Sequence, residues 1–105
     1  MATRGRAVLV TGASRGIGAA VAREFATAGE RVAVHYGASR DAAQDVVASL
    51  AGDGHGVVGA DLADPEAVRA MVAQAAEGLG GLDVLVNNAG VFTLYPITET
   101  TYEEW

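Results

Sequence analysis

The sequence contains no cysteine and no lysine, and it has only 2 prolines. The absence of cysteine excludes disulfides, thiolate nucleophiles and sulfur-ligated metal sites, and it fits a reducing compartment. All 7 basic residues are arginines, so this chain alone cannot assemble a site that needs a lysine ammonium group. His35 and His55 lack nearby cysteines or paired carboxylates. We therefore expect both to be structural or surface residues, and we expect no metal site.

The sequence also lacks a basic stretch and a long apolar run. Its formal net charge is −6 and its arginines are scattered, so we expect neither nucleic acid nor an anionic membrane as a partner. No run approaches the ~18 apolar residues that a membrane helix needs. The apolar segment from Ala7 to Val10 is too short for the core of a signal peptide. These absences indicate a cytoplasmic protein.

The composition that remains is that of one globular domain. Hydrophobic residues make up 50% of the chain and charged residues 19%, which is ordinary for a folded protein. A chain of 105 residues buries roughly two thirds of its unfolded surface, enough for one core. We therefore predict a single domain over residues 1–105.

Short apolar runs alternate with helical patterns along this domain. The alternation predicts seven elements in the order βαβαβαβ, at Arg6–Thr11, Gly16–Ala28, Arg31–Tyr36, Arg40–Leu50, Val57–Ala60, Pro65–Leu79 and Leu82–Asn87. We expect Gly29 to cap the first helix, and Asp64 followed by Pro65 to begin the third. Thr101 and Glu104 form a capping box that predicts the start of a further helix. Strands that are apolar on both faces and joined by helices predict an α/β fold with a parallel sheet.

A glycine-rich turn joins the first predicted strand to the first predicted helix. Residues 8–18 read VLVTGASRGIG. Gly12 allows the turn, Gly16 permits close approach to the backbone, and Gly18 lets the helix pack tightly on the sheet. Because a helix N-terminus offers unpaired N–H groups and the positive end of a dipole, the segment predicts a cradle for a pyrophosphate. The alternative is a turn without a ligand in a chain that contains 14 glycines.

The spacing T-G-x-x-x-G-I-G, together with N-N-A-G at residues 87–90, resembles the short-chain dehydrogenase/reductase family over essentially the whole chain. The resemblance implies the N-terminal half of a Rossmann-type doubly wound sheet with strand order 3-2-1-4. It also implies a nicotinamide dinucleotide at the carboxyl edge of that sheet. The cofactor-binding residues that it implies in the glycine motif are Gly12, Ser14, Arg15, Gly16, Ile17 and Gly18. Those that it implies further along the chain are Asp61, Leu62, Asn87, Ala89 and Gly90.

Two of these assignments have alternatives that the sequence leaves open. In the family, the carboxylate at Asp61 accepts a hydrogen bond from the adenine amino group. An aspartate at this position could equally cap a helix, although Asp64 already serves the third helix. The segment from Asn87 to Gly90 could be a turn that contacts no ligand.

The end of the second predicted strand bears on the choice between NAD and NADP. Enzymes that prefer NAD usually place a carboxylate there to hold the ribose 2′-hydroxyl, whereas this chain has Tyr36. Arg15, Ser39 and Arg40 supply guanidinium and hydroxyl groups at places similar to those used by NADP-preferring members. We therefore expect NADP(H) rather than NAD(H). Arg40 could also be an ordinary solvated residue at a helix start.

The family's catalytic residues are a tyrosine, a lysine four positions later, a serine and an asparagine, all of which normally lie beyond position 105. Within this chain, Tyr36 and Tyr95 have Arg40 and Glu99 four positions later, and Tyr102 has too few residues after it. A glutamate beside a tyrosine opposes the ionised phenolate that such an acid must reach. We therefore assign no catalytic residue to this chain.

The leading functional hypothesis is the NADP(H)-binding portion of a short-chain oxidoreductase that reduces a ketone or oxidises a secondary alcohol. The pattern looks most like the 3-oxoacyl-carrier-protein reductase branch. Two alternatives stay open: a non-catalytic half-domain that binds a dinucleotide or a complementary chain, and an inactive truncated product. Because the fourth predicted strand has no neighbour on its outer side, we expect the isolated chain to form a homo-oligomer or to pair with a complementary C-terminal half.

Overall fold

A computed structural model describes residues 5–88 of the chain. These residues form a four-stranded parallel sheet with helices on both faces. The strands are β1 (Ala7–Val10), β2 (Arg31–Tyr36), β3 (Gly56–Gly59) and β4 (Val84–Val86), and the helices are α1 (Gly16–Thr27), α2 (Arg40–Ser49) and α3 (Pro65–Leu79). The strand order is β3-β2-β1-β4, and each neighbouring pair is parallel. The predicted α/β fold class and strand order are confirmed.

The helices divide the core into two clusters, one on each face of the sheet. Helices α1 and α2 pack on the face that includes Val8, Val10 and Val34. Helix α3 packs on the opposite face, against Leu9 and the side chains next to it. Every residue of β1 is fully buried, because alternate side chains of a central parallel strand point to opposite faces that are both covered. This double coverage explains why β1 is apolar at every position.

Three strands differ from the predicted bounds, whereas β2 matches them. Strand β1 loses one predicted residue at each end. Strand β3 begins and ends one residue earlier than predicted, because its pairing register places Gly59 opposite Tyr36, the last residue of β2. Strand β4 is shorter than predicted, since the Asp83 carboxylate accepts a hydrogen bond from the Ala7 N–H (2.8 Å) before the strand begins. Apolar composition marks the strands, but the partner strand decides where each one ends.

Helix α3 has its predicted bounds, and the other two helices each end one residue early. The C-cap of α1 is Ala28 rather than Gly29, which follows it with φ +92°. The N–H groups of Gly29 and Glu30 bond at 3.0 Å to the carbonyls of Ala26 and Phe25, the pattern of a Schellman motif. Helix α2 ends at Ser49 because Leu50 leaves the helix with ψ 139° and turns its side chain into the core.

Small residues bring α1 close to the sheet. The buried residues of α1 are Gly18, Ala19, Ala22 and Ala26. By contrast, Ile17 is 76% exposed, and Val21 and Phe25 are only partly buried at the edge of the core. The larger apolar residues of α1, which recur every four positions at 17, 21 and 25, therefore do not mark the face nearest the sheet.

Candidate functional site

The predicted site lies at the carboxyl edge of the sheet, where β1 meets β2 on one side and β4 on the other. The connection after β1 leads to α1 on one face, whereas α3, which precedes β4, covers the opposite face. Such a change in direction opens a crevice outside the carboxyl ends of the strands, the usual ligand site of open α/β sheets. We call residues 11–18, which lead from β1 into α1, the glycine loop.

Two of the loop glycines have opposite relations to their surroundings. Gly16 has φ +60°, and a Cβ added there meets nothing within 4 Å. A Cβ added at Gly18 would abut the Gly12 carbonyl oxygen and lie 2.5 Å from Asn88 Nδ2 and 2.9 Å from Ala13 Cα. Packing therefore excludes a side chain at Gly18. At Gly16 the positive φ favours glycine, and without a side chain there the surface above the loop is open.

Among residues 5–88, no side chain caps the N-terminus of α1. Arg15 occupies the N-cap position without a side-chain capping hydrogen bond, and the first turn contains no acidic residue. By contrast, Ser39 caps α2 and Asp64 caps α3. Because the first N–H groups of a helix have no intrahelical acceptor, those of α1 remain for an anion that approaches over the exposed Gly16 and Ile17.

Thr11 joins the glycine loop to the segment that follows β4. Its buried hydroxyl accepts a hydrogen bond from the Asn88 N–H (2.8 Å). Its Oγ1 also lies 3.2 Å from Asn87 Oδ1 and 3.3 Å from the Val86 carbonyl oxygen, and it donates its proton toward these two acceptors. The Asn88 Nδ2 also lies 3.4 Å from the Gly12 carbonyl. The two sequence motifs, about seventy positions apart, therefore form one hydrogen-bonded unit.

His35 holds the other side of the glycine loop, a role that the sequence analysis missed. The Gly12 N–H donates to His35 Nδ1 (2.8 Å), and the Ala13 N–H donates to the His35 carbonyl (3.0 Å). The Nε2 of the same ring lies 2.9 Å from the Ala60 carbonyl. The sequence shows only that a polar residue interrupts the apolar run of β2. The structure adds that this residue is 2% exposed.

Four predicted cofactor residues lie at the end of β2, at the start of α2 and in the glycine loop. Tyr36 is half-buried, and its ring covers Gly59 so closely that a Cβ there would lie 2.5 Å from Tyr36 Cζ. Ser39 caps α2 by accepting a hydrogen bond from the Ala42 N–H (3.1 Å), and its hydroxyl donates to no group among residues 5–88. Arg40 begins α2 and is exposed, as is Arg15 in the glycine loop. All four predicted residues therefore lie at the carboxyl edge of the sheet.

The turn after β3 separates the two aspartates that the sequence left ambiguous. Asp64 Oδ1 accepts from the N–H groups of Glu66 (3.0 Å) and Ala67 (3.4 Å) and so caps α3. Asp61 Oδ1 instead accepts from the Ala63 N–H (2.9 Å), while its side chain is exposed at the sheet edge. Asp61 is therefore not the helix cap. Leu62 packs partly against the core cluster under α3.

Some predicted residues cannot be placed. Asn87 is described and exposed, but Ala89 and Gly90 lie outside the described residues, as do Tyr95, Tyr102 and the capping box of Thr101 and Glu104. Within residues 5–88, no group of three or more histidine, cysteine, aspartate or glutamate side chains converges on a point that could hold a metal ion. No helix of that same range is long and apolar enough to cross a membrane.

Comparison with known proteins gives consistent matches. The family model described as short chain dehydrogenase matches residues 6–105. Versicolorin reductase stcU of Emericella nidulans is 40% identical over 103 residues, which cover 96% of this chain. The 3-oxoacyl-(acyl-carrier-protein) reductase FabG of Staphylococcus aureus is 39% identical over 102 residues, or 95% of this chain. A short chain dehydrogenase from Burkholderia cenocepacia, crystallised in complex with NADP, has a TM-score of 0.75 and 44% identity over 96% of this chain.

The matches cover less than half of each relative. This chain spans 39% of the versicolorin reductase, 42% of the 3-oxoacyl reductase and 42% of the Burkholderia chain. The two reductases are named for different substrates, yet their identities to this chain differ by only one percentage point. The similarity therefore does not distinguish between their substrates.

Proposed function

Because this chain belongs to the short-chain dehydrogenase family, we propose that residues 1–105 form the dinucleotide-binding part of an oxidoreductase that uses NADP(H). The observation that carries this proposal is the uncapped N-terminus of α1 behind a glycine loop that is open above Gly16. This arrangement provides backbone N–H donors and the positive end of a helix dipole, with no side chain in the way.

In this proposal, the glycine loop holds the pyrophosphate of the dinucleotide. The backbone N–H groups of Ser14, Gly16 and Ile17 donate to the phosphate oxygens, while Gly12 and Gly18 keep the loop in place. Asp61 and Leu62 receive the adenine, since the exposed Asp61 carboxylate lies at the sheet edge and does not cap α3. From the family resemblance, we assign Asn87, Ala89 and Gly90 to the nicotinamide-ribose part of the cofactor. When bound, the nicotinamide ring donates or accepts the hydride.

The preference for NADP(H) over NAD(H) rests on charge at the end of β2. Tyr36 stands where a carboxylate would repel the 2′-phosphate of NADP. Arg15 and Arg40 are both exposed at this edge, and the Ser39 hydroxyl retains a proton to donate. The Burkholderia relative, which was crystallised with NADP, supports the same preference.

A pair of arginine variants tests this preference. The Arg15→Gln and Arg40→Gln variants each remove one charge-assisted hydrogen bond to the 2′-phosphate, so we expect NADPH to bind about tenfold more weakly. NADH has no 2′-phosphate, and its affinity should change less than about twofold. Arg69→Gln, an exposed arginine of α3, serves as the matched control. Equal loss of NADPH and NADH binding in both variants would contradict the assignment.

For the substrate, the proposal names a chemical class and no single compound. We propose reduction of a ketone or oxidation of a secondary alcohol, with a 3-oxoacyl thioester as the leading substrate class, and we assign no catalytic residue within residues 1–105. The two matched reductases support reduction as the reaction, whereas the choice of a 3-oxoacyl thioester rests on the sequence pattern. The test is NADPH oxidation with a 3-oxoacyl thioester, by this chain mixed with the C-terminal part of that reductase. The absence of turnover, although both parts fold and bind each other, would contradict it.

The exposed side of β4 supports a second proposal, that this strand pairs with a further polypeptide segment. Among residues 5–88, β4 is an edge strand, and its Leu85 is 58% exposed. The outer edge of β4 offers backbone N–H and C=O groups for pairing, and the exposed Leu85 adds an apolar side chain on the sheet face beside that edge, so both favour association with a further segment. We propose either a second copy of this chain or a complementary C-terminal half as that segment. Sedimentation velocity tests the first: Leu85→Lys should shift a self-associating chain to monomer, and a wild-type monomer would contradict self-association.

A further inference from the structure

The buried His35 links the glycine loop to the carboxyl end of β3. Its Nδ1 is 2.8 Å from the Gly12 nitrogen, and its Nε2 is 2.9 Å from the Ala60 oxygen. The backbone of the same residue accepts the Ala13 N–H at 3.0 Å. Two successive N–H groups of the loop are therefore bonded to one residue, at the point where Gly12 adopts φ +60°.

These contacts define the protonation state of the ring. Gly12 donates its N–H to Nδ1, so Nδ1 must carry a lone pair. The Ala60 carbonyl can only accept, so Nε2 must carry the proton. Only the neutral Nε2–H tautomer satisfies both contacts. A protonated imidazole would place an N–H on Nδ1 directly against the N–H of Gly12, and that contact is repulsive.

We propose that His35 is a positioning residue for the dinucleotide, which holds the glycine loop in its binding conformation only while its imidazole is neutral. This inference rests on the proposed function, since the loop must first bind a dinucleotide. When the loop leaves the competent conformation, apparent affinity falls in proportion to the population lost. Dinucleotide affinity should therefore decrease when the imidazole is protonated or when the acceptor of the Gly12 N–H is removed.

The surroundings of His35 contain few charges. The segments that its ring joins carry Arg15 in the glycine loop, Asp61 and Asp64 after β3, and Glu66 in the first turn of α3. The carboxylates of Asp61 and Asp64 already accept backbone N–H groups of their own turn. The other polar side chains here, Thr11 of the loop itself and the two asparagines after β4 that contact it, are neutral. Both ring contacts of His35 are to backbone groups, so its effect on the loop passes through Gly12 and Ala60.

Two substitutions separate the contacts of the two ring nitrogens. In His35→Asn, the amide oxygen reaches the position of Nδ1, accepts the Gly12 N–H and does not titrate. In His35→Gln, the longer side chain places its amide near the position of Nε2, and Gly12 loses its acceptor. At about pH 8, we expect NADPH to bind His35→Asn within about twofold of wild type. It should bind His35→Gln about fivefold to tenfold more weakly. Thermal melts of all three proteins report folding separately.

The pH profile provides a readout that a purely structural role would not change. As the pH is lowered from about pH 8, wild type should lose more NADPH affinity than His35→Asn, because only wild type carries an ionisable group at this position. Because both proteins meet the same ligand, titration of the NADPH phosphates cancels in this comparison. Identical pH profiles, or equal affinities of the Asn and Gln variants at about pH 8, would overturn the proposal.

Failure of the inference can be told apart from failure of the proposed function. If wild type does not bind NADPH, the proposed function is refuted. The inference is then decided by nitrogen NMR of the His35 imidazole in the same chain. The proposal requires an unprotonated Nδ1 and a protonated Nε2 at neutral pH. The opposite tautomer, or a ring that is already protonated there, would overturn it.

Discussion

A glycine-to-alanine series gives a direct test of the packing at the glycine loop. In Gly18→Ala, the new methyl group would abut the Gly12 carbonyl oxygen, with Ala13 Cα at 2.9 Å and Asn88 Nδ2 at 2.5 Å. Two of these three atoms belong to the backbone, so α1 has to move away from the loop rather than a side chain turning aside. Overpacking of this kind costs about 1–3 kcal/mol, and we expect the upper part of that range.

Two other glycines serve as matched controls. Gly16→Ala meets nothing within 4 Å, so its only cost is the positive φ, about 1–2 kcal/mol. Gly78→Ala lies in α3, also meets nothing within 4 Å, and should stabilise the helix by about 0.5–1 kcal/mol. From most to least stable, the predicted order is therefore Gly78→Ala, wild type, Gly16→Ala and Gly18→Ala.

Thermal or urea unfolding measures this series, and each kcal/mol corresponds to roughly 4–8 °C in the melting temperature of a domain of this size. NADPH titration then separates the two loop variants. Gly16→Ala should lose affinity because its methyl group faces the proposed phosphate site, whereas Gly18→Ala should lose mainly stability. If Gly18→Ala melts no lower than Gly16→Ala, the close approach of α1 to the loop is wrong.

The remaining predictions concern the polar contacts around the loop. Thr11→Val removes the acceptor of the Asn88 N–H and should cost about 1–3 kcal/mol in urea unfolding, whereas Thr11→Ser keeps the hydroxyl and should recover most of it. A Thr11→Val protein as stable as the Ser variant would refute this link. Asp64→Ala removes the cap of α3 and should cost about 1 kcal/mol in the same assay. Asp61→Ala should instead reduce the free energy of NADPH binding by more than it reduces the free energy of unfolding. A larger loss in unfolding than in binding would contradict the proposed contact of Asp61 with the adenine.

Features with local causes were predictable from the sequence. The bounds of α3 follow from Asp64 and Pro65 at its start and from the left-handed Gly80 after its end. The glycine spacing marked the loop, and Tyr36 marked the end of β2. The parallel fold followed from the alternation of apolar runs and helices, because such strands must be covered on both faces.

Features that depend on contacts between distant segments were not predictable. The ends of β3 and β4 depend on their pairing partners, and the sequence places no marker there. The tight packing at Gly18 was expected from the glycine spacing, but the part that Asn88, far away in the chain, plays in it was not. The role of His35 depends on two backbone groups from different segments. Residue type alone showed only a polar side chain in an apolar strand.

The central claim is that the glycine loop and the N-terminus of α1 bind the pyrophosphate of a dinucleotide. The most direct test is an NMR titration of the isotopically labelled chain with NADPH, following the backbone amides. Our account predicts the largest shifts at the N–H groups of Ser14, Gly16 and Ile17, with smaller shifts near Asp61 and Arg40. An NADPH titration that leaves the loop amides unchanged, or that shifts only residues at the opposite edge of the sheet, would contradict it.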